Sequence, residues 1–220
     1  MFDEGSTGSS AAFDKAFSRK FMEVGWQSLV KPFEALRRWE EFADDCLAGF
    51  PWDVDDYNND LTLRTRLAEI LPALEAEGHV AARDVLKSIG AADSRARVVL
   101  AREAFPAFSV DRWWLRRVPT YASRRFCADF RDTYGIEINA RSLFDDDVVE
   151  MSRLKSTGLS IPEVMIHVRC EGLYVSSRPG LFYRSFREAF PDARGMRGLV
   201  SGWISGAIGD SKLRSGFIQR

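Results

Sequence analysis

The sequence has a cluster of basic residues toward its C-terminus. Their type and spacing could allow them to bind the phosphates of a nucleic acid. Arginine and lysine contact phosphate oxygens through ionic hydrogen bonds. Residues 111–220 hold 13 acids and 18 bases, a net charge of +5, whereas residues 1–60 hold 13 acids and 6 bases, a net charge of -7. The predicted DNA-binding residues are Arg153, Lys155, Arg169, Arg178, Arg184 and Arg187.

A second group of candidate residues is aromatic and basic and lies between two prolines. Residues 113–117 contain two tryptophans and two arginines. An indole beside a guanidinium can stack on nucleic-acid bases, and aromatic residues also anchor docking surfaces. The same tryptophans could instead anchor the packing between elements of the core. The predicted partner-binding residues are Trp113, Trp114, Arg116 and Arg117.

Motifs for catalysis are absent from the sequence. It contains no P-loop, no dinucleotide-binding glycine motif, no zinc-protease motif and no nucleophile elbow. Its two histidines, His79 and His167, lie in segments of helical pattern without the loop signature of a catalytic base. We therefore expect a protein that is not an enzyme, has no catalytic residues and uses no cofactor.

The acidic residues between 53 and 60 have some features of a calcium-binding loop. The twelve-residue EF-hand loop needs glycine at its sixth position and an acid at its twelfth. Counted from Asp53, these positions hold Asn58 and Arg64, so no metal site is predicted. The three cysteines are scattered, with no CxxC pair, which suits a reducing cytoplasm. Arginine outnumbers lysine by 25 to 6, which indicates a GC-rich, bacterial genome.

Composition and periodicity predict a mainly α fold with a small α+β C-terminal part. The chain is 45% hydrophobic and 29% charged, as in ordinary globular proteins. No apolar run approaches the ~18–20 residues needed to span a bilayer, so no membrane partner is expected. The predicted domains are a disordered tail over 1–12, a helical module over 13–110 and a basic α+β module over 111–220.

Hydrophobic spacing predicts a series of helices in the helical module. The first carries phenylalanines four residues apart, beginning at Phe13. Pro32 and Gly49 are placed to begin and to end the second. A polar loop over 50–60 is expected to lead into the third. The remaining predicted helices are 63–78, 80–89 and 93–104, with Gly90 separating the last two.

Residues 145–190 have the element order of a winged helix-turn-helix. A first helix after Asp145 is followed by the turn STGLS. Ser160 and Glu163 then stand at capping-box spacing and predict a second helix over about 161–170. Two short alternating runs around Pro179-Gly180 predict a hairpin, the wing. In this architecture the second helix enters the major groove and the wing lies near backbone phosphates.

The same segment resembles one known family of regulators. The spacing of Glu171-Gly172-Leu173, Arg178, Tyr183-Arg184 and Phe186 is similar to the recognition-helix exit and wing of MerR-type regulators. The resemblance covers about 40 of 220 residues. The segment departs from the family in three ways. Two extra residues, such as Lys155-Ser156, interrupt the first helix and turn, and the second helix is longer. The segment also lies toward the C-terminus, and no coiled coil follows it. The resemblance implies DNA contacts by Arg169, Arg178 and Arg184.

Two functions are consistent with these patterns. The first is a non-catalytic bacterial regulatory protein that binds DNA through the winged-helix-like segment. The second is a protein-binding inhibitor of a cytosolic partner, of the immunity, plasmid fertility-inhibition or phage-defence type. Gly202 and Gly206, four residues apart in an apolar stretch, favour close helix packing or a homodimer contact. DNA or a cytosolic protein is therefore the expected partner.

Overall fold

The computed structural model describes residues 5–26 and 29–218, with the side chains of all of these except residues 5–10 and residue 194. The chain divides into two compact units, Met1–Ala140 and Arg141–Arg220, which we call the N-terminal and the C-terminal unit. Both are mainly helical, which confirms the predicted fold class at that level. No described helix is long and apolar enough to cross a membrane.

Four long helices make up most of the N-terminal unit. They are α1 (Gly5–Glu23), α2 (Pro32–Leu47), α3 (Val54–Ala76) and α4 (Ala81–Val99). The phenylalanine stripe of α1 is buried as predicted, at Phe13, Phe17 and Phe21. Pro32 occupies the first turn of α2, where its missing N–H costs nothing. Helix α1 starts at Gly5 and so extends into the predicted tail, because a helix nucleated by its buried face gains one hydrogen bond per added residue.

Two predicted boundaries in this unit are wrong. Helix α3 begins at Val54, inside the predicted loop over 50–60, because Asp53 caps it by accepting a hydrogen bond from the Asp56 N–H at 3.0 Å. Helix α4 runs through Gly90 without a break. Its buried residues, among them Ile89 and Ala92, pack against α2 and α3, and this burial outweighs the ~1 kcal/mol cost of one helical glycine.

The rest of the N-terminal unit is built from short elements that complete its core. They are β1 (Arg102–Glu103), a 3₁₀ turn (Val110–Arg112), α5 (Trp113–Arg116), β2 (Arg117–Val118), β3 (Tyr121–Ala122), α6 (Arg124–Tyr134) and β4 (Asn139–Ala140). Strand β1 pairs antiparallel with β2, and β3 pairs parallel with β4.

The division between the units lies after Ala140, not between residues 110 and 111 as predicted. The reason is the packing of residues 111–140 on the long helices. Tyr57 of α3 contacts the rings of Phe126 and Phe130 of α6, at centroid distances of 5.5 and 5.9 Å. Its hydroxyl donates to the carbonyl of Arg117 at 2.8 Å. All the described strands therefore belong to the N-terminal unit.

Two acids, the partly buried Asp93 and the buried Asp60, join the long helices. Asp93 of α4 accepts two hydrogen bonds from Arg64, at 2.9 and 2.7 Å, and one from the indole N–H of Trp39 at 2.9 Å. Asp60 of α3 accepts one from Nε of Arg38 at 2.7 Å. Burial raises the pKa of Asp60 to about 6, although the charge and hydrogen bond of Arg38 oppose this rise.

The described part of the C-terminal unit consists of helices alone. They are α7 (Leu143–Ser156), α8 (Ile161–Cys170), a 3₁₀ turn (Tyr174–Ser177), α9 (Pro179–Ala189), a second 3₁₀ turn (Pro191–Met196), α10 (Arg197–Ile204) and α11 (Asp210–Ile218). Helix α9 packs on α7 and α10, while α8 packs on α7 and α11.

The predicted hairpin, and with it the wing and the α+β character of this unit, is wrong. Pro179 occupies the first position of α9, where its fixed φ favours a helix, and not a hairpin turn. Leu181, Phe182, Ser185 and Phe186 are buried, and their spacing of one, three and one residues gives a single helical face. Alternation over six residues could not distinguish this pattern from a strand.

Candidate functional site

The two helices of the predicted helix-turn-helix are present, and local capping explains where each begins. Ser142 caps α7 by accepting a hydrogen bond from the N–H of Asp145 at 3.0 Å. At the start of α8, Glu163 accepts hydrogen bonds from the backbone N–H and the hydroxyl of Ser160, at 2.7 and 2.6 Å. The capping box predicted from the sequence is therefore confirmed.

The joint between α7 and α8 is short and contains a glycine in the left-handed region. Four residues, 157–160, connect the helices. Gly158 has a φ of +98°, which L side chains rarely adopt. A turn of three or four residues that contains glycine is typical of helix-turn-helix motifs.

An aspartate fixes the rest of the unit to α7. Asp147 is buried and accepts a hydrogen bond from the backbone N–H of Val175 at 2.9 Å. Burial raises its pKa, while this hydrogen bond opposes the rise. Asp147, the third member of the acidic triplet Asp145–Asp147, thus does more than complement a helix dipole: it holds the 3₁₀ turn after α8 against α7. The triplet alone gave no sign of which acid would be buried.

Helix α8 presents one face to the core and another to solvent. Val164, Met165 and Val168 are buried. The opposite face carries Glu163 and Cys170, which are exposed. Ile166 and His167, at helical spacing between them, are partly exposed and complete this face. We call these four residues the α8 face.

Three of the six predicted DNA-binding residues are engaged within the unit. Arg153 donates to both carboxylate oxygens of Glu150, each at 2.6 Å. Arg184, largely buried, donates to Glu188 at 3.2 Å and lies over the ring of Phe144. Its Nη2 atom is buried and has no hydrogen-bond partner among the described residues.

Arg169 acts as a clamp on α10. Its guanidinium carbon lies 3.5 Å from the ring centroid of Trp203. It also donates to the carbonyls of Trp203 and Ile204, at 3.2 and 3.4 Å, where α10 ends. A cation at the last carbonyls of a helix complements its dipole. The indole N–H of Trp203 donates to Asp210 at 2.7 Å.

The other three predicted DNA-binding residues differ in their exposure to solvent. Lys155 and Arg187 are exposed. Arg178 is partly buried and lies 5.1 Å from the ring centroid of Tyr174. Two further exposed cations, Lys212 and Arg214 of α11, were missed by the sequence reasoning. The proximity of α11 to α8 depends on a tertiary contact that no local pattern indicates.

The predicted partner-binding residues belong to the N-terminal unit, whereas the α7–α8 pair belongs to the C-terminal unit. Trp113 and Trp114 are buried. The indole N–H of Trp114 donates to the hydroxyl of Thr65 at 3.0 Å. Arg116 pairs with Glu103, and Arg117 donates to the carbonyl of Leu100 at 3.4 Å. The two tryptophans are therefore core anchors, the alternative that the sequence left open.

The glycine pair at 202 and 206 does not form a helical stripe. Helix α10 ends at Ile204, and Gly206 follows it with a φ of +79°. A Cβ atom at Gly202 would contact the side chain of Ile208 of the same chain. The predicted close helix packing through both glycines is wrong, because the chain turns between them.

An open cavity of about 1100 Å³ runs along α1 in the N-terminal unit. Two of its lining residues, Met22 and Leu29, are 55% and 73% exposed, which is unusual for large apolar side chains. The wall also carries charged residues of both signs, including Lys15 and Glu23.

Neither metal ligation nor a relative identifies a reaction for these sites. Among the described residues, no group of three or more His, Cys, Asp or Glu side chains could hold a metal ion. Comparison with models of protein families, with curated proteins and with solved structures finds no match to this chain.

Proposed function

We propose that the protein is a non-catalytic bacterial regulator that binds DNA in the cytoplasm through the α7–α8 helix-turn-helix, without a wing. One observation carries the proposal: two capped helices are joined by four residues with a left-handed glycine. This connection is typical of the motif that places its second helix in the major groove.

In this proposal the α8 face is the surface that meets the base edges. Its partly exposed imidazole and its carboxylate are groups that can exchange hydrogen bonds with bases, a carboxylate by accepting from cytosine N4. Arg153, Arg169 and Arg184 are assigned to contacts within the unit, because their guanidinium groups are held there. Of the six residues first predicted to contact DNA, the exposed Lys155 and Arg187 are retained as phosphate contacts, whereas Arg178 is partly buried beside Tyr174.

The test is fluorescence anisotropy of a labelled mixed-sequence duplex, titrated with the full chain at about 50 and about 200 mM salt. We expect binding that weakens steeply at the higher salt, because phosphate contacts release counterions. Absence of binding at the lower salt would overturn the proposal.

A matched pair of variants locates the surface. Cys170→Glu adds an anion to the α8 face and is expected to weaken binding about tenfold or more through repulsion of the DNA phosphates. Ser201→Glu adds the same charge at an exposed position of α10 and is expected to leave affinity within about twofold. Equal losses in the two variants would contradict the placement of α8 in the groove.

A second candidate function, a protein-binding inhibitor, is favoured by the cavity along α1. Exposed apolar side chains beside a concave surface are typical of docking sites. A complex formed there would depend on salt far less than a DNA complex. The double variant Met22→Ser/Leu29→Ser would weaken the protein complex and leave DNA affinity unchanged.

A further inference from the structure

Some cations of the C-terminal unit are held by a neighbouring group, whereas two others, Lys155 and Arg214, are exposed and outside any ion pair among the described residues. Arg153 and Arg184 are held by glutamates, and Arg169 by the indole and carbonyls of α10. Lys155 and Arg214 are exposed and form no ion pair within the part of the chain that the structure describes. A solvated cation that is not part of an ion pair is the kind that can neutralise a phosphate.

These two cations lie on the two helices that pack against α8. Lys155 is in the last turn of α7, directly before the four-residue joint. Arg214 follows Leu213, the buried residue of α11. Helices α7 and α11 both contact α8, and each of these two helices contributes one of the cations.

The surroundings of Glu163 support this placement. The pKa of its carboxyl is lowered first by the hydrogen bonds with Ser160 and then by the positive charges of Arg214 and Lys155. Both cations are therefore near the beginning of α8, although they come from residues 59 positions apart in the chain.

We propose that Lys155 and Arg214 flank α8 and contact DNA phosphates on the two sides of the major groove. This inference rests on the proposed function and adds α11 to the binding surface. The major groove is ~12 Å wide, and a helix lying in it has a phosphate backbone on each side. A lone cation would contact one strand, whereas cations on both sides fix the register of α8 between the strands.

Helix α11 supplies its own control residue. Lys212 is exposed and carries the same charge as Arg214. Two residues apart on a helix of 3.6 residues per turn, these side chains project from nearly opposite sides. If Arg214 faces the groove, Lys212 does not.

The experiment measures duplex affinity by anisotropy over a series of salt concentrations for the wild type and for Lys155→Ala, Arg214→Ala and Lys212→Ala. We expect the first two variants to weaken binding about threefold to tenfold and each to reduce the salt slope by about one. Lys212→Ala is expected to retain both the affinity and the slope. Circular dichroism spectra identical to that of the wild type show that each variant is folded.

The outcomes separate this inference from the proposed function. If the wild type binds and Arg214→Ala retains the full salt slope, the role of α11 is refuted while DNA binding by α7–α8 stands. If Lys212→Ala loses as much as Arg214→Ala, the attraction is diffuse and the two-sided contact is refuted. If the wild type does not bind, the proposed function fails and this inference fails with it.

Discussion

Replacing Asp60 by asparagine should stabilise the N-terminal unit at neutral pH and leave it unchanged in acid. The carboxyl is 12% exposed, and its pKa rises from 3.8 to about 6 on folding. The unfolded chain therefore releases this proton at lower pH than the folded one, so stability falls as pH rises from about 4 through about 6. A change of about two pKa units corresponds to about 3 kcal/mol.

The expected signature is the pH dependence of the difference between variant and wild type. Asparagine is neutral at every pH and can still accept the hydrogen bond from Arg38, so it avoids the cost of a buried charge. The gain in unfolding free energy should be near zero at about pH 4 and reach about 3 kcal/mol at about pH 8.

The assay is urea unfolding at a series of pH values, followed by circular dichroism. Asp44→Asn, which makes the same substitution at an exposed position of α2, is the matched control. A difference that is constant across this pH range, or a variant less stable than the wild type at about pH 8, would refute the reasoning. In that case the ion pair with Arg38 contributes more than the desolvation of Asp60 costs.

Three further predictions concern helix continuity and local conformation, each measured as a change in urea unfolding free energy. Gly90→Ala should add about 1 kcal/mol, because the residue is inside α4 with open space around its Cα; destabilisation would mean that the helix ends there. Gly158→Ala should cost about 1–2 kcal/mol, because an L side chain is strained at a φ of +98°, and a neutral effect would contradict the left-handed joint. Arg169→Ala should lower the unfolding free energy by about 1 kcal/mol through loss of the Trp203 contact, and Arg169→Lys should recover only part of this loss. An unchanged unfolding free energy in Arg169→Ala would show that the contact with Trp203 does not stabilise the protein.

Elements whose ends are set by local residues could be predicted from the sequence. Pro32 begins α2, and Ser160 with Glu163 begins α8, because each signal acts within one helical turn. Gly90 is also a local signal, but the helix end predicted there is wrong. Its helix is stabilised by packing on α2 and α3, and that tertiary energy exceeds the preference of one glycine.

The prediction of a hairpin over residues 179–186 was wrong for a different reason. Both interpretations of residues 179–186 use the same proline and the same apolar residues. A run of six residues is too short for its periodicity to separate a strand from a helix. Leu181 and Phe182 are adjacent in the chain and both buried. In a strand with one buried face, adjacent side chains point to opposite faces, so this burial identifies a helix.

In the candidate site, local spacing predicts some contacts of the arginines but not others. The pairing of Arg153 with Glu150, and of Arg184 with Glu188, could have been read from helical spacing. The stacking of Arg169 on Trp203 joins residues 34 positions apart and could not. The sequence therefore predicts where cations are but not which of them are free to bind.

The distribution of tryptophans gives the two units different optical signals. Five of the six indoles, at positions 26, 39, 52, 113 and 114, belong to the N-terminal unit, and Trp203 alone belongs to the other. Trp203 also lies under a guanidinium and donates to a carboxylate, an environment that unfolding of its unit would remove. Emission of the native chain therefore reports chiefly on the N-terminal unit, whereas a variant that retains only Trp203 would follow the C-terminal unit by itself. Circular dichroism reports the helices of both units together. Comparison of native emission, Trp203 emission and circular dichroism therefore shows whether the two units unfold together or one after the other.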